Sequence, residues 1–208
     1  MQNIKAIFLD WNGTISKDYF WKSLKTKNNE LFEKINKILF VDNSYIINEW
    51  MLGNVKIDDI LNLLSKETKA NQEYLMEELV FGLKQMDFVI HDLKDIIKKI
   101  QKNDIKVVLS SDNMDIFSYV IDNLNLKNIF DDILLSNILK HLKNDVDGNN
   151  HALFFHDYII KNNLKYEECV LIDDSKSLVD MCKKVGMNNI KINDCEKEIR
   201  DVLLKFIN

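Results

Sequence analysis

The stretch IKAIFLDWNGTI, residues 4–15, decides how the rest of the chain is read. An apolar run, Ala6 to Leu9, passes directly into Asp10, Trp11, Asn12, Gly13 and Thr14. Four uninterrupted apolar residues this short read as a strand covered on both faces, as in a parallel sheet. An acid followed closely by a glycine turn then places a carboxylate at the carboxyl edge of that sheet, where ligands collect in open α/β folds.

The same pattern recurs downstream. Short apolar runs, IKVVL (105–109), DILLS (132–136), CVLI (169–172) and IKI (190–192), alternate with stretches of helical spacing. Asp92 is placed to start a helix carrying Leu93, Ile96, Ile97 and Ile100. Ile116, Val120, Ile121 and Leu124 follow the helical period, as do Phe154, Phe155, Tyr158 and Ile159. Buried strands separated by helices predict an α/β fold with a parallel sheet flanked by helices. Residues 16–86 interrupt the alternation: Leu31, Ile35, Ile38 and Leu39, then Ile57, Ile60, Leu61 and Leu64, read as helices with no strand between them. The expected division is an α/β core from residues 1–15 and 87–208, with an inserted helical domain at 16–86. NDVDGNN (144–150) is the strongest loop signal.

Composition bounds the class. The 208 residues are 46% hydrophobic and 29% charged, which suits a soluble globular protein with a real core. No window approaches the roughly 18 uninterrupted apolar residues of a membrane helix, and the first apolar run begins too soon and is too short for a signal peptide. A cytoplasmic protein with no membrane partner is expected. Cys169, Cys182 and Cys195 have no CxxC spacing, which argues against disulfides and a structural zinc site. A net charge of −5 argues against nucleic acid as a partner. Nothing in the sequence addresses oligomeric state.

The polar residues at the predicted strand ends carry the functional signal. Strand 4–9 delivers Asp10, strand 105–109 delivers Ser110 and Ser111, and strand 169–172 delivers Asp173 and Asp174. After strand 132–136 comes NILKHLKND, with Lys140 and Lys143. Singly, each is an ordinary cap, turn or surface residue. Together, at regular βα spacing, they make a phosphate and metal site: carboxylates hold a hard cation such as Mg²⁺, and hydroxyl, ammonium and backbone N–H groups hold phosphate oxygens.

FLDWNGTI, VVLSSDN, a downstream lysine and VLIDDS…VGM resemble the four ordered motifs of the haloacid dehalogenase superfamily. The helical insertion resembles that superfamily's cap domain, and the likeness spans nearly the whole chain. The resemblance implies a Rossmann-like core and a Mg²⁺-dependent phosphatase acting on a small phosphorylated metabolite. Asp10 matches the nucleophile that forms an aspartyl-phosphate. Gly13 permits the tight turn, and Thr14 supports it and is grouped with the phosphate-binding residues. Ser110 matches the phosphate-binding hydroxyl, with Ser111 close behind; Ser110 directly ends the apolar run. Lys143 matches the charge-neutralising lysine, with Lys140 as runner-up, because the usual following proline is missing and NDVDGN looks like an extra loop. Asp10, Asp173 and the backbone carbonyl of Asn12 match the Mg²⁺ ligands, and Asp174 assists them. Gly186 and Met187 match the turn after the fourth motif.

One residue departs from the pattern. Family phosphatases generally carry an acid two residues after the nucleophile, where this chain has Asn12, although some members share the DWNGT form. An amide positions a group but transfers no proton, and losing general acid–base help typically costs about 10²–10⁴ in rate. Three activities stay open: a phosphatase with a good leaving group or with another acid such as Asp112, a protein that binds a phosphorylated ligand without turnover, and a 2-haloacid dehalogenase, whose halide needs no proton.

Overall fold

The computed structural model describes residues 3–207, so residues 1, 2 and 208 at the outer limits of the expected core lie outside the described residues. Among those described, β1 (Ala6–Leu9), β2 (Lys106–Ser111), β3 (Asp132–Leu135), β4 (Cys169–Asp173) and β5 (Asn188–Lys191) form one parallel sheet in the order β3-β2-β1-β4-β5. The chain moves outward from β1 through β2 to β3, then crosses back to lay β4 on the other side of β1. The strand order therefore reverses at β1, the position where ligands bind in doubly wound sheets.

Two hydrophobic layers explain the apolar strands. Alternate residues of β1 point to opposite faces. Ile7 and Leu9 join Val107, Leu109, Val170 and Ile172 on one side, while Ala6 and Phe8 join Val108 and Leu171 on the other. The first face is covered by α6 (Leu93–Gln101), α7 (Ser118–Leu124) and α11 (Cys195–Leu204); the second by α9 (Leu153–Lys161) and α10 (Lys176–Val185). In α6 the predicted residues Leu93, Ile96, Ile97 and Ile100 are all buried. Met181 and Cys182 of α10 are buried too.

Between β1 and α6 lie α1 (Leu24–Lys27), α2 (Asn29–Asn36), a π-helical turn at Lys37–Asp42, α3 (Ser44–Met51), α4 (Ile57–Thr68) and α5 (Gln72–Lys84). The segment leaves and returns at one place, since Val89 N–H donates to the Ile15 carbonyl at 2.9 Å and Asp87 N–H to Asp18 Oδ2 at 3.0 Å. Its apolar residues, including Trp21, Leu24, Leu61 and Leu79, belong to the same continuous core as the first face of the sheet. Ser136, the first residue of α8 (Ser136–Leu139), donates to the Met51 carbonyl at 2.7 Å. No helix among the described residues is long and apolar enough to cross a membrane.

Every strand differs from the sequence reading by one or two residues at an end, and two of these shifts have a clear cause. β2 runs to Ser111 rather than stopping at residue 109, because Ser110 and Ser111 keep the parallel ladder with Leu134 and Leu135. β5 covers Asn188–Lys191 rather than 190–192; it is a half-buried edge strand, where polar residues suffice. The NDVDGNN stretch closes on a single bridge between Val146 and Ala152, and the Asp147 carboxylate accepts from the N–H groups of Asn149 and His151.

Candidate active site

β1, β2 and β4 are in register, Leu9 pairing with Leu109 and Ile172. Asp10 and Asp173 therefore reach the carboxyl edge at the same level, with Ser110 beside them inside β2 and Ser111 one residue beyond it. Asp10 N–H donates to the Ile172 carbonyl at 3.0 Å, which carries the ladder to the acid itself. Asp10 and Asp173 are each 4% exposed, as is Lys143.

Lys143 is the centre of the arrangement. Its Nζ lies 2.6 Å from Asp10 Oδ1 and 2.5 Å from Asp173 Oδ2. Its backbone N–H donates to Asp112 Oδ1 at 3.0 Å, which fixes where the side chain starts. Each acid has a second anchor: Asp10 Oδ2 accepts from Thr14 Oγ1 at 3.4 Å, and Asp173 Oδ1 accepts from Ser175 N–H at 2.8 Å. Such charge-assisted bonds are the strong ones when water is excluded.

One ammonium does not neutralise this much acid. Oxygens of Asp10, Asp173 and Asp174 lie within 4.8 Å of one another. Burial, opposed by Lys143 and aided by Asp173, leaves the Asp10 carboxyl raised to about 7. Burial also raises Asp174, with Asp173 adding to it, and burial raises Asp112 against the pull of Lys143. Burial works against the charge on Lys143, but Asp10, Asp173 and Asp112 together outweigh it and raise its pKa. Three hard oxygen donors carrying surplus negative charge fit a divalent cation such as Mg²⁺.

Gly13 is required here for a spatial reason as well as its φ of +73°. A Cβ on it would sit 2.3 Å from Asp174 Oδ2 and push that carboxylate out of its present place beside Asp10 and Asp173. These residues open onto a cavity of ≈ 310 Å³ lined by Asp10, Asn12, Ser111, Asp112, Lys143, Asp173 and Asp174 from the sheet edge. Asn48 and Met51 of α3 line it from the helical segment.

The structure sorts the predicted residues. Lys143, not Lys140, reaches the acids. Lys140 Nζ instead donates to the carbonyls of Leu52 and Gly53, at 2.9 and 3.0 Å. Ser111, not Ser110, lines the cavity. Ser110 is fully buried one residue earlier in the same strand, and its Oγ has no hydrogen-bond partner among the described residues. Thr14 is likewise fully buried and stands behind Asp10 rather than at the cavity wall, so it orients the carboxylate and does not touch a phosphate there. Trp11 is buried between Phe88 and Phe117 and is not among the residues lining this cavity.

Asn113 and Ser136 were not picked out from the sequence. Asn113, 2% exposed, donates from Nδ2 to Asn12 Oδ1 at 3.3 Å and to Ser111 Oγ at 3.4 Å. Its backbone N–H donates to Ser136 Oγ at 3.0 Å. Asn113 lies within SSDN, beside residues already chosen, so that cluster was the available signal. For Ser136, Asn48 and Met51 no sequence motif pointed to the site.

Fold and site define a doubly wound α/β protein with an acid at the end of the switch-point strand. Residues 4–186 match the family model described as haloacid dehalogenase-like hydrolase, and the chain belongs to that family. A solved structure of a predicted HAD-like family hydrolase from Porphyromonas gingivalis is 17% identical, covers 99% of both chains and has a TM-score of 0.73. A HAD family enzyme from Bacteroides thetaiotaomicron, in complex with magnesium and inorganic phosphate, is 14% identical over 95% of this chain and 98% of that one, with a TM-score of 0.67. L-2-haloacid dehalogenase from Xanthobacter autotrophicus, with chloropropionic acid covalently bound, is 13% identical over 99% of this chain and 84% of its own, with a TM-score of 0.63. At these identities the likeness is one of fold. A curated relative, polyribonucleotide nucleotidyltransferase from Wigglesworthia glossinidia brevipalpis, is 27% identical over 147 residues; the match spans 66% of this chain but only 21% of that protein's length.

Proposed function

We propose that the protein is a Mg²⁺-dependent phosphomonoesterase acting on a small phosphorylated molecule through an aspartyl-phosphate. The observation that carries this reading is the Lys143 ammonium bridging Asp10 and Asp173, with the Asp174 carboxylate close by. Displacement at carbon, as in a dehalogenase, has no use for three clustered carboxylates; phosphoryl transfer uses such a cluster to hold a cation. Asp10, Asp173 and Asp174 would hold Mg²⁺, which when bound supplies positive charge against the phosphoryl oxygens.

The chain's own residues do the rest. An Asp10 oxygen forms a bond to phosphorus as the bond to the ester oxygen breaks, and the electron pair leaves on that oxygen. Lys143 and Ser111 are placed to hold phosphoryl oxygens through both halves of the reaction. Thr14 and Ser175 keep Asp10 and Asp173 in place. Water then attacks phosphorus, the acyl phosphate breaks, and Asp10 returns as a carboxylate. The bound-phosphate neighbour from Bacteroides thetaiotaomicron supports the reading.

Asn12 favours a second reading, a protein that binds a phosphorylated ligand and does not release it as product, since an amide cannot relay a proton. One assay separates the two: hydrolysis of an activated aryl phosphate, with Mg²⁺ and with chelator, by wild type, Asp10→Asn and Asn12→Asp. Intact mass is checked first, because an Asn-Gly pair such as Asn12-Gly13 deamidates readily. Mg²⁺-dependent turnover that Asp10→Asn abolishes supports the phosphatase. Turnover only in Asn12→Asp supports the binding protein, and silence in all three sinks the phosphate reading and turns attention to halide release.

A further inference from the structure

Beside the carboxylate cleft lies a second cavity of ≈ 340 Å³, joined to it at Asn12, Met51 and Asp112, which line both. Its walls are Phe20, Trp21, Leu39, Ile47 and Trp50, with Phe40, 55% exposed, at its rim. The Phe20 and Trp50 ring centroids are 5.8 Å apart. The indole N–H of Trp21 is committed to the Leu75 carbonyl and that of Trp50 to Asp115, both at 2.8 Å, so these rings turn hydrocarbon and no donor to the cavity. Asp112, at the junction, is the one charged residue among those lining it. No lysine or arginine is there to pair a carboxylate or a second phosphate, and burying an unpaired charge is costly.

The junction residue adds an independent constraint. Asn12 Nδ2 donates to the Asp18 carbonyl at 3.2 Å, and its Oδ1 accepts from Asn113 at 3.3 Å. Both ends of the amide are committed, so it stands at the boundary of the two cavities as a fixed neutral group. Asp112, the other polar residue at that boundary, has one carboxylate oxygen committed to the Lys143 backbone.

Resting on the phosphomonoesterase reading above, we propose that the substrate is an aryl phosphate: the monoester of an uncharged, planar, apolar phenol whose ring packs in this cavity against Phe20 and Ile47 while its phosphate meets Asp10. The cavity selects for the hydrocarbon ring, and the neutral junction selects for its acidity. As the Asp10–phosphorus bond forms, the phosphorus–oxygen bond breaks and its electron pair leaves on the phenol oxygen as an aryloxide. A phenol has a pKa of about 10, against about 15.7 for water, which an aliphatic alcohol approaches. The aryloxide departs without a proton, whereas an alkoxide needs one that Asn12 does not have. Water then attacks phosphorus, Asp10 is released, and the water's proton leaves on inorganic phosphate.

The test compares three sets of esters on the intact protein with Mg²⁺. Acetyl phosphate, whose leaving carboxylate needs neither proton nor ring, reports the phosphoryl chemistry alone. Phenyl and naphthyl phosphates with graded ring acidity probe the cavity, and butyl phosphate and glycerol phosphate are the unactivated set. Aryl esters are expected to exceed alkyl esters by about 10² or more in kcat/KM, with rates falling as the phenol becomes less acidic, and Asn12→Asp to flatten that dependence. Ile47→Asp, and Phe40→Glu at the exposed rim where folding is not at stake, should lower the naphthyl-to-acetyl ratio of kcat/KM about tenfold or more. Acetyl phosphate turnover with alkyl or doubly charged esters equal to the aryl ones overturns the substrate class and leaves the phosphatase standing. A flat dependence that becomes steep in Asp112→Asn overturns it too, in favour of Asp112 as the acid. No turnover of acetyl phosphate removes the phosphatase reading and this inference with it.

Discussion

The indole N–H of Trp50 donates to Asp115 Oδ1 at 2.8 Å, joining residues 65 positions apart and fastening the helical segment to the turn that follows β2. Trp50 is fully buried, and Asp115 is half-buried. Trp50→Phe keeps most of the ring and removes the donor. A loss of about 1 kcal/mol is expected, because the carboxylate recovers only part of its hydration. Urea denaturation reads it as a lower midpoint with an unchanged slope; an unchanged midpoint would mean the bond contributes nothing.

The two adjacent serines of β2 should behave in opposite ways. Ser110 Oγ is buried without a partner, so Ser110→Ala removes a desolvated hydroxyl and is expected to be neutral or stabilising by about 1 kcal/mol. Ser111 lines the cleft, so Ser111→Ala should leave stability near wild type and weaken inhibition by inorganic phosphate about tenfold, the worth of one hydrogen bond to an anion. Thermal melts and phosphate inhibition constants measured on both variants decide it. The reverse pattern would return the phosphate-binding role to Ser110.

Lys143→Met leaves two buried carboxylates facing each other with no cation between them. Removing one partner of a buried pair typically costs about 3–5 kcal/mol, less whatever protonation of Asp10 relieves. Activity should fall by about 10²–10³ through loss of charge stabilisation. Because a bound cation stabilises the folded state by mass action, Mg²⁺ should raise the melting temperature more in Lys143→Met than in wild type. Equal shifts in both proteins would count against the acidic trio as the cation site.

Glu78 of α5 accepts from Ser23 Oγ at 2.6 Å and from Lys27 Nζ at 2.8 Å. Burial pushes its carboxyl up, but the bonds from Lys27 and Ser23 outweigh that and hold it below the ordinary glutamate range. A carboxyl lowered by folding contributes stability that is complete above its unfolded pKa and is lost as pH falls through the acid range. Glu78→Gln should therefore cost about 1 kcal/mol at neutral pH and much less near pH 3.5. Denaturation midpoints at the two pH values check this, and a gap that stays constant would refute it.

Asp10 and Asp173 could be read from the chain because each directly follows an apolar run, and a parallel strand delivers its next residue to the sheet edge. The helical insertion was visible for the same kind of reason, since Leu31, Ile35 and Leu39 keep a period of nearly four residues. The choice between the serines was not readable. Hydrophobicity stops at Leu109, while hydrogen bonding to β3 carries the strand two residues further, and only the second fact decides which hydroxyl reaches the rim. Lys140 and Lys143 differ by one turn of backbone that no local pattern resolves. Ser136 ties Asn113, 23 residues before it, to the Met51 carbonyl, 85 residues before it, a juxtaposition that no local pattern encodes.

The core that Trp21, Leu24 and Leu79 share with Ile7, Leu9 and Trp11 bears on how the protein breathes. A lid joined to its base by a narrow hinge can swing as a unit. Here a swing would break the Trp50–Asp115 bond and part the core the two share, re-exposing apolar surface at about 25 cal/mol per Å². Gly53 adds a close fit at the far side, since a Cβ on it would lie 2.5 Å from the Asn137 carbonyl oxygen. The energetically accessible motions are thus small ones at the margin, around Phe40 and the π-helical turn, where side chains already meet solvent. Opening a path through such a margin asks only a few side chains to move and leaves the hydrophobic seam shut.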